Sequence, residues 1–358
     1  MPASRSTAIR IVHVQRRPQP AQFSVEGYFH RVRQCLLQAG VGVTLVVLPA
    51  FSKGVWNRVQ NLLSAARCRR NLCHVTGDVQ YAVLLLRRER TVLTVLDCEI
   101  LHRLKGLRRF ILKTLWFSWP LRNVSRVTVI SEETRRQLVR EVSFPPDRIH
   151  VIPVSVSPLY VPTAAAFCSD CPRILQVGTK ANKNVERLVQ ALRGLPCHLD
   201  LVGPMSDGLR SLLSDCQVQY TAWGRLTDEQ LVGRYQQADI IAFVSTHEGF
   251  GMPIVEAQCV ERVCVTSNCS SMPEVAGDAA CLVDPFDIQS IRAGFQRVIN
   301  DAGYREQLIA AGRANRQRFN ANLIARQFLE VYQLVAAEAG LELDFTPTPN
   351  PLGGRSSC

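Results

Sequence analysis

No apolar run in this sequence is long enough to cross a membrane: the longest, such as residues 41–50, have the length of a strand. Met1–Arg10 carries two arginines but no apolar stretch of the length a secretory leader needs, so neither a leader nor a spanning helix is expected. The Cys-x-x-Cys of Cys168 and Cys171 has no second Cys or His pair at ligand spacing, which leaves no metal site and favours an ordinary loop. No strand-like segment is followed by Gly-x-Gly-x-x-Gly with an acidic residue about 20 positions on, which argues against a dinucleotide oxidoreductase. Zinc-finger, RNA-recognition and helix-turn-helix signatures are also missing, so nucleic acid is not an expected partner.

What is present is ordinary globular material in a quantity that implies two cores: 358 residues, 47% apolar and 20% charged. Thirteen cysteines, an odd number scattered among apolar neighbours, read as packed thiols in a reducing cytoplasm. The net charge of +12 is uneven, since residues 1–165 hold 25 Lys and Arg against 9 Asp and Glu. That half suits an acidic partner, such as anionic lipid or a phosphorylated acceptor, or else presents a solvated basic surface.

Short β-rich runs alternate with amphipathic helical patterns throughout, which predicts an α/β protein with two parallel sheets. In the first half the strands are placed at 9–14, 41–48, 92–96 and 126–130, with helices at 28–38, 56–68 and 132–141. In the second half the strands are placed at 173–177, 199–202, 217–220, 240–244 and 262–266. Residues 149–167, with Pro153, Pro158 and Pro162, read as the crossing between domains of 1–165 and 166–340, and the terminal helices are assigned to the second. Residues 341–358, rich in Pro, Gly and Ser near the end, read as a disordered tail.

Two strand-to-helix turns carry candidate chemistry. After the apolar strand 240–244, the turn Ser245–Phe250 leads to Pro253, which suits a first helical turn because it has no N–H to leave unpaired. Gly249 and Gly251 permit close backbone approach, and the free N–H groups of the helix start favour a diphosphate. Glu256 lies about one turn in and leans back, so that it and Glu248 can reach a ligand over the turn. The second turn, Gly178–Lys183 before Asn184, offers Lys183 and Lys180 to neutralise phosphate charge.

From Arg173 to about Asp287 the sequence resembles the retaining GT-B glycosyltransferases of family 4, which have two Rossmann-like domains facing across a cleft. The segments that carry the resemblance are Val177-Gly-Thr with Lys183-Asn184, Gly224–Leu231, Tyr235–Asp239, Glu248–Glu256, Ser270–Val275 and Gly277–Ala280. More loosely, His74–Asp78, Thr94–Asp97 and Val129–Glu132 are similar to the acceptor-binding domain of bacterial polysaccharide members. The resemblance implies transfer of a hexose-type sugar from a nucleotide-diphosphate sugar to a glycan or polyprenyl-diphosphate-linked acceptor, with retention, without a metal and without a separate cofactor.

By position, the resemblance implies catalytic roles for Glu248, Lys183 and Asp97. It implies donor contacts from Gly178, Thr179, Lys180, Asn184, Gly224, Arg225, Gly249, Phe250, Gly251, Met252 and Glu256. The acceptor-side pattern Thr-x-His-Asp reads Thr94-Val-Leu96-Asp97 here, and His74 or His102 are the candidates to stand in for the missing His. A catalytically silent nucleotide-sugar-binding protein, or another GT-B enzyme such as an epimerase, are the alternatives. Finally, His102–Arg122 interleaves cations with Phe110, Trp116, Phe117 and Trp119. It reads either as a dock for an anionic membrane surface through Arg103–Arg122, which would place the enzyme on the inner membrane face, or as a core helix with a basic outer side.

Overall fold

The computed structural model describes residues 9–18 and 24–345, apart from the side chains of Ser24, His102 and Arg103. It divides into two compact units. The first takes the chain up to Ile130, Thr134–Ser155 and the chain from Ala321; the second takes Ser131–Glu133 and Val156–Asn320.

The N-terminal part runs β1 (Ile11–Gln15), α1 (Ser24–Gln38), β2 (Val43–Val47), α2 (Val55–Ala66), β3 (Leu72–Thr76), β4 (Thr91–Val95), α3 (Glu99–Arg103) and α4 (Gly106–Leu112). A π-helical stretch, Lys113–Ser118, then leads to α5 (Trp119–Arg122), β5 (Arg126–Val129), α6 (Glu132–Glu141) and β6 (Ile149–Val151). The strands form one all-parallel sheet in the order β2-β1-β3-β4-β5-β6. Every residue of β1, β3 and β4 is buried, as expected of parallel strands covered on both faces.

The second sheet, also all parallel, is ordered β12-β11-β10-β7-β8-β9. Its elements are β7 (Arg173–Val177), α7 (Val185–Leu192), β8 (His198–Val202), α8 (Asp207–Asp215), β9 (Gln219–Trp223), α9 (Asp228–Gln237), β10 (Ile240–Phe243) and α10 (Met252–Cys259). Next come β11 (Val263–Ser267), α11 (Met272–Ala276), β12 (Cys281–Val283), α12 (Ile288–Asn300) and α13 (Ala302–Asn315). The chain enters at β7 in the middle, winds outward through β8 and β9, and then crosses to β10 on the other side of β7. The connections after β7 and β10 therefore diverge, which opens a crevice at their carboxyl ends where open α/β sheets take their ligands.

The last helix, α14 (Ala321–Glu338), belongs to the first unit and not to the second, where the sequence pattern had put it. The physical reason is a buried polar contact: the Tyr332 hydroxyl meets His13 Nε2 at 2.9 Å and His74 Nδ1 at 2.7 Å, while Phe328 packs on Tyr28, Phe29 and His74. Of the expected tail, 341–345 pairs with the first unit: Ile9 N donates to Glu342 O at 2.8 Å and Asp344 N to Ile9 O at 2.9 Å. Residues 346–358 lie outside the described residues. The twelve described cysteines are free thiols, most of them buried, with Cys168 and Cys171 exposed.

Candidate active site

The crevice residues of the second unit come from three successive strand ends. After β7, Gly178 adopts φ +88°, and a Cβ there would meet Lys183 Cε at 3.2 Å, so the missing side chain lets Lys183 fold across the loop. After β10, the turn through Glu248 and Gly251 leads into α10. Gly251 has φ +119°, and a Cβ would press on Ile254 at 3.1 Å and Phe243 at 3.3 Å. Only glycine fits both restraints.

The two loops meet in an ion pair. Lys183 Nζ donates to Glu248 Oε1 at 2.7 Å and lies 4.6 Å from the centroid of the Phe243 ring. Asn182 Nδ2 donates to the same carboxylate oxygen at 3.0 Å and to His247 O at 3.1 Å, and Thr246 N donates to Asn182 O at 2.8 Å. Lys183 and Glu248 are 18% and 17% exposed, so the pair is shielded yet reachable. The loop after β11 clamps the other side: Ser270 Oγ donates to Glu248 O at 2.8 Å, and Ser271 Oγ to Glu248 O at 2.9 Å and Phe250 O at 2.6 Å.

Glu256 lies one turn into α10, which begins at Met252 with Pro253 beside it. Its Oε2 accepts the Tyr235 hydroxyl at 2.5 Å, and the Tyr160 hydroxyl also bonds this carboxylate. The two tyrosine rings meet edge to face at 5.3 Å. Burial, and next the Glu256 charge, push both phenols above their ordinary range, so both remain protonated donors that fix the carboxylate.

The other expected donor contacts differ in placement. Thr179 turns its hydroxyl to Pro204 O at 2.6 Å. Lys180 is exposed ahead of the 3-10 turn, Gly224 and Arg225 are exposed beyond β9, and Gly249 and Phe250 lie within the clamped turn. Asn184, another expected donor contact, has its side chain engaged within the loop. It sits at φ +58° with its side chain buried, its amide donating to Val244 O at 3.0 Å and Pro285 O at 2.7 Å and its Oδ1 accepting from Arg187. Its polar atoms are committed to bracing the loop.

In the first unit, Asp97 is exposed just past β4, where its Oδ1 accepts from Glu99 N at 3.1 Å. His74 is fully buried between Thr94, at 2.7 Å, and Tyr332, and burial pushes it down to about 3. It is a neutral core residue rather than a stand-in proton carrier; the His102 side chain lies outside the described residues. Beyond the ends of β1, β2 and β3 there is a cavity of about 210 Å³ lined by Arg16, Arg17, Phe51, Ser52 and Asp78 among others. Arg16 there is matched by Glu26 at 2.8 Å and Asp78 at 2.9 Å.

The family model for glycosyl transferases group 1 matches residues 167–315, which include all these crevice residues except Tyr160. Over 274 residues, 70% of this chain and 71% of the relative, the sequence is 30% identical to O-antigen chain mannosyltransferase B of Escherichia coli. The chain belongs to the group 1 glycosyltransferases. In fold this glycosyltransferase is similar to a glycosyltransferase from Rickettsia africae, with a TM-score of 0.73 and 17% identity over 91% of this chain and 98% of that one. It is also similar to HepE of Anabaena, solved in complex with UDP and glucose, with a TM-score of 0.71 and 16% identity over 91% of this chain and 100% of that one. The architecture is GT-B, as the sequence resemblance implied.

Several residues of the glycosyltransferase site were not singled out by sequence reasoning. Asn182, Ser270 and Ser271 hold the Glu248 turn, and the Ser-Ser pair inside an already quoted segment was the available signal. His247, next to Glu248, has a buried Nε2 with no hydrogen-bond partner among the described residues. Tyr160 gave no signal, and Tyr235, quoted only as part of the Tyr235–Asp239 segment, was given no contact with Glu256, which its spacing does not predict. Among the described residues, no group of three or more His, Cys, Asp or Glu side chains is placed to hold a metal ion.

Proposed function

We propose that this glycosyltransferase moves a mannosyl-type hexose from a nucleotide-diphosphate sugar to a glycan or lipid-linked acceptor of polysaccharide or glycolipid synthesis, with retention of anomeric configuration. The observation that carries the proposal is the Lys183–Glu248 pair, which joins the two anion-favouring loops at the diverging ends of β7 and β10. The name of the E. coli relative supports the choice of sugar.

Lys183 and the positive end of the α10 dipole meet the charge that grows on the departing diphosphate, so that no metal is needed for that task. Gly178, Gly249 and Gly251 allow the backbone to approach the phosphates, and Phe250, Met252, Thr179 and Lys180 border them. Glu256, fixed by Tyr235 and Tyr160, accepts the ribose hydroxyls, and Gly224 and Arg225 lie toward the base. Glu248, once Lys183 turns to phosphate, accepts from hydroxyls of the transferred sugar. Retention follows if the acceptor hydroxyl attacks from the face the phosphate leaves, its proton passing to a phosphate oxygen; Asp97 serves on the acceptor side. No separate cofactor enters this reaction. A lipid-linked acceptor would place the work at the inner membrane face.

Incubation with a panel of nucleotide sugars and mannose-terminated oligosaccharides, with the product followed by proton NMR, tests the proposal. An α-linked product from an α-linked donor is expected. An inverted product rules out retention, and tight donor binding with no transfer to any acceptor in the panel or in membrane lipid extracts rules out the enzymatic reading of the site.

A further inference from the structure

The helical run from α4 through the π-helical stretch to α5 presents an apolar stripe to solvent. Leu107, Ile111, Leu115 and Trp119 recur every four residues, which places them on one side of the run. Leu107 is 73% exposed, Phe110 beside it 65%, and the other three each more than two-fifths. The opposite side supplies Phe117, Pro120 and Leu121 to the core. On α2, Trp56 and Leu63, two turns apart and so on one face, are 73% and 58% exposed, and Val55 is exposed beside them. Arg58 of α2 lies 4.9 Å from the Trp116 ring, against which Tyr81 also packs at 5.4 Å, so both stripes belong to neighbouring elements of the first unit.

A merely solvated helix face would carry charge where these side chains stand. Contiguous exposed apolar groups rimmed by polar residues mark an interaction surface. Here the rim is cationic: Lys105, Arg108 and Arg122 are exposed along α4 and α5, and Lys53 and Arg67 at the two ends of α2. The neighbouring Glu141 is already matched by Arg109 at 2.6 Å and Lys113 at 3.5 Å. Two copies docked through this face would bring like charges together, whereas an anionic surface complements it.

We propose that α2 and the α4–α5 run form a bilayer-docking face, whose apolar stripes enter the boundary between headgroups and acyl chains while the rim cations pair with lipid phosphates. The proposal is independent of the donor and acceptor assignments.

Co-sedimentation of the full chain with phosphatidylcholine vesicles, with and without phosphatidylglycerol, tests it. Binding to the phosphatidylglycerol vesicles is expected, weakened at least tenfold by combined Leu107→Gln, Phe110→Gln and Trp56→Gln, with melting temperature and nucleotide affinity unchanged because these side chains are exposed. A separate Lys105→Gln, Arg108→Gln variant should weaken binding at low salt and reduce its salt dependence. Absence of vesicle binding overturns the proposal, as does binding that ignores the apolar substitutions. Concentration-dependent dimerisation removed by the apolar substitutions, without vesicle binding, assigns the face to a second copy and overturns it too.

Discussion

Replacing Lys183 by Ala removes a cation that bridges the β7 and β10 loops, and its consequences for stability and for transfer can be separated. The change leaves Glu248 with the Asn182 amide at 3.0 Å as its remaining side-chain donor among the described residues. Losing a charge-assisted hydrogen bond costs about 1.5–3 kcal/mol when shielded, and the pair's partial exposure brings the expected loss of unfolding free energy to about 1–2 kcal/mol. In the transition state Lys183 faces growing phosphate charge instead, and removing one preorganised donor there costs about 2.7–4 kcal/mol, or 10²–10³ in kcat. The variant should therefore fold, melt a few degrees lower and turn over slowly. Glu248→Gln combined with Lys183→Ala should lose less stability than the sum of the single changes, because the carboxylate left unpaired is also gone. Urea denaturation and nucleotide-release assays on the four proteins measure both quantities. Transfer by Lys183→Ala within about threefold of wild type would refute the phosphate role and leave Lys183 only a brace between loops.

Other expectations follow from single contacts. Tyr160→Phe deletes a hydroxyl bonded to Glu256 and should weaken nucleoside-diphosphate binding by about 3–10-fold at unchanged kcat; equal calorimetric affinities would remove Tyr160 from the site. Gly251→Ala at φ +119° sets a methyl against Ile254 and Phe243 and should cost about 1–3 kcal/mol, read from the denaturation midpoint; an unshifted midpoint would mean that the turn relaxes freely. His74 is held at about 3 and His13 well below its usual value, both chiefly by burial, so between pH 6.5 and that depressed range the unfolded chain binds more protons than the folded one. Their contribution is complete above pH 6.5 and is lost on acidification, by about 1.4 kcal/mol per pH unit for each proton. A denaturation free energy that stays flat from pH 7 to 5 would contradict the buried, neutral assignment.

The α/β alternation was legible because most strands are apolar runs bounded by turn residues: β7 and α6 have the limits the pattern predicts. β3, Leu72-Cys-His-Val-Thr, was passed over although β1, with His13 at the matching register, was placed, and the β3 histidine is satisfied by Tyr332, 258 positions away. Such a partner leaves no local trace. The helical pattern of α14 was readable, but an apolar stripe does not say which of two sheets it covers. At the site, glycine turns and helix starts pointed to Gly178, Glu248 and Gly251 because local backbone physics selects those residues. Whether a polar side chain points outward is decided by tertiary contacts, so Asn184 read as a ligand contact although its amide braces two carbonyls.

The return of α14 to the first unit sets the order in which the chain can fold as it is made. Apart from Ser131–Glu133, the second unit is one uninterrupted segment, Val156–Asn320, and its sheet is complete before α14 exists. The first unit begins earlier but must wait: until Tyr332 emerges, His13 and His74 lack the hydroxyl they share, and the Phe29 and Phe328 rings have not met. On the ribosome the second unit is therefore able to close before the first is complete, and the face of the N-terminal sheet that carries His13 and His74 lacks its cover until α14 emerges.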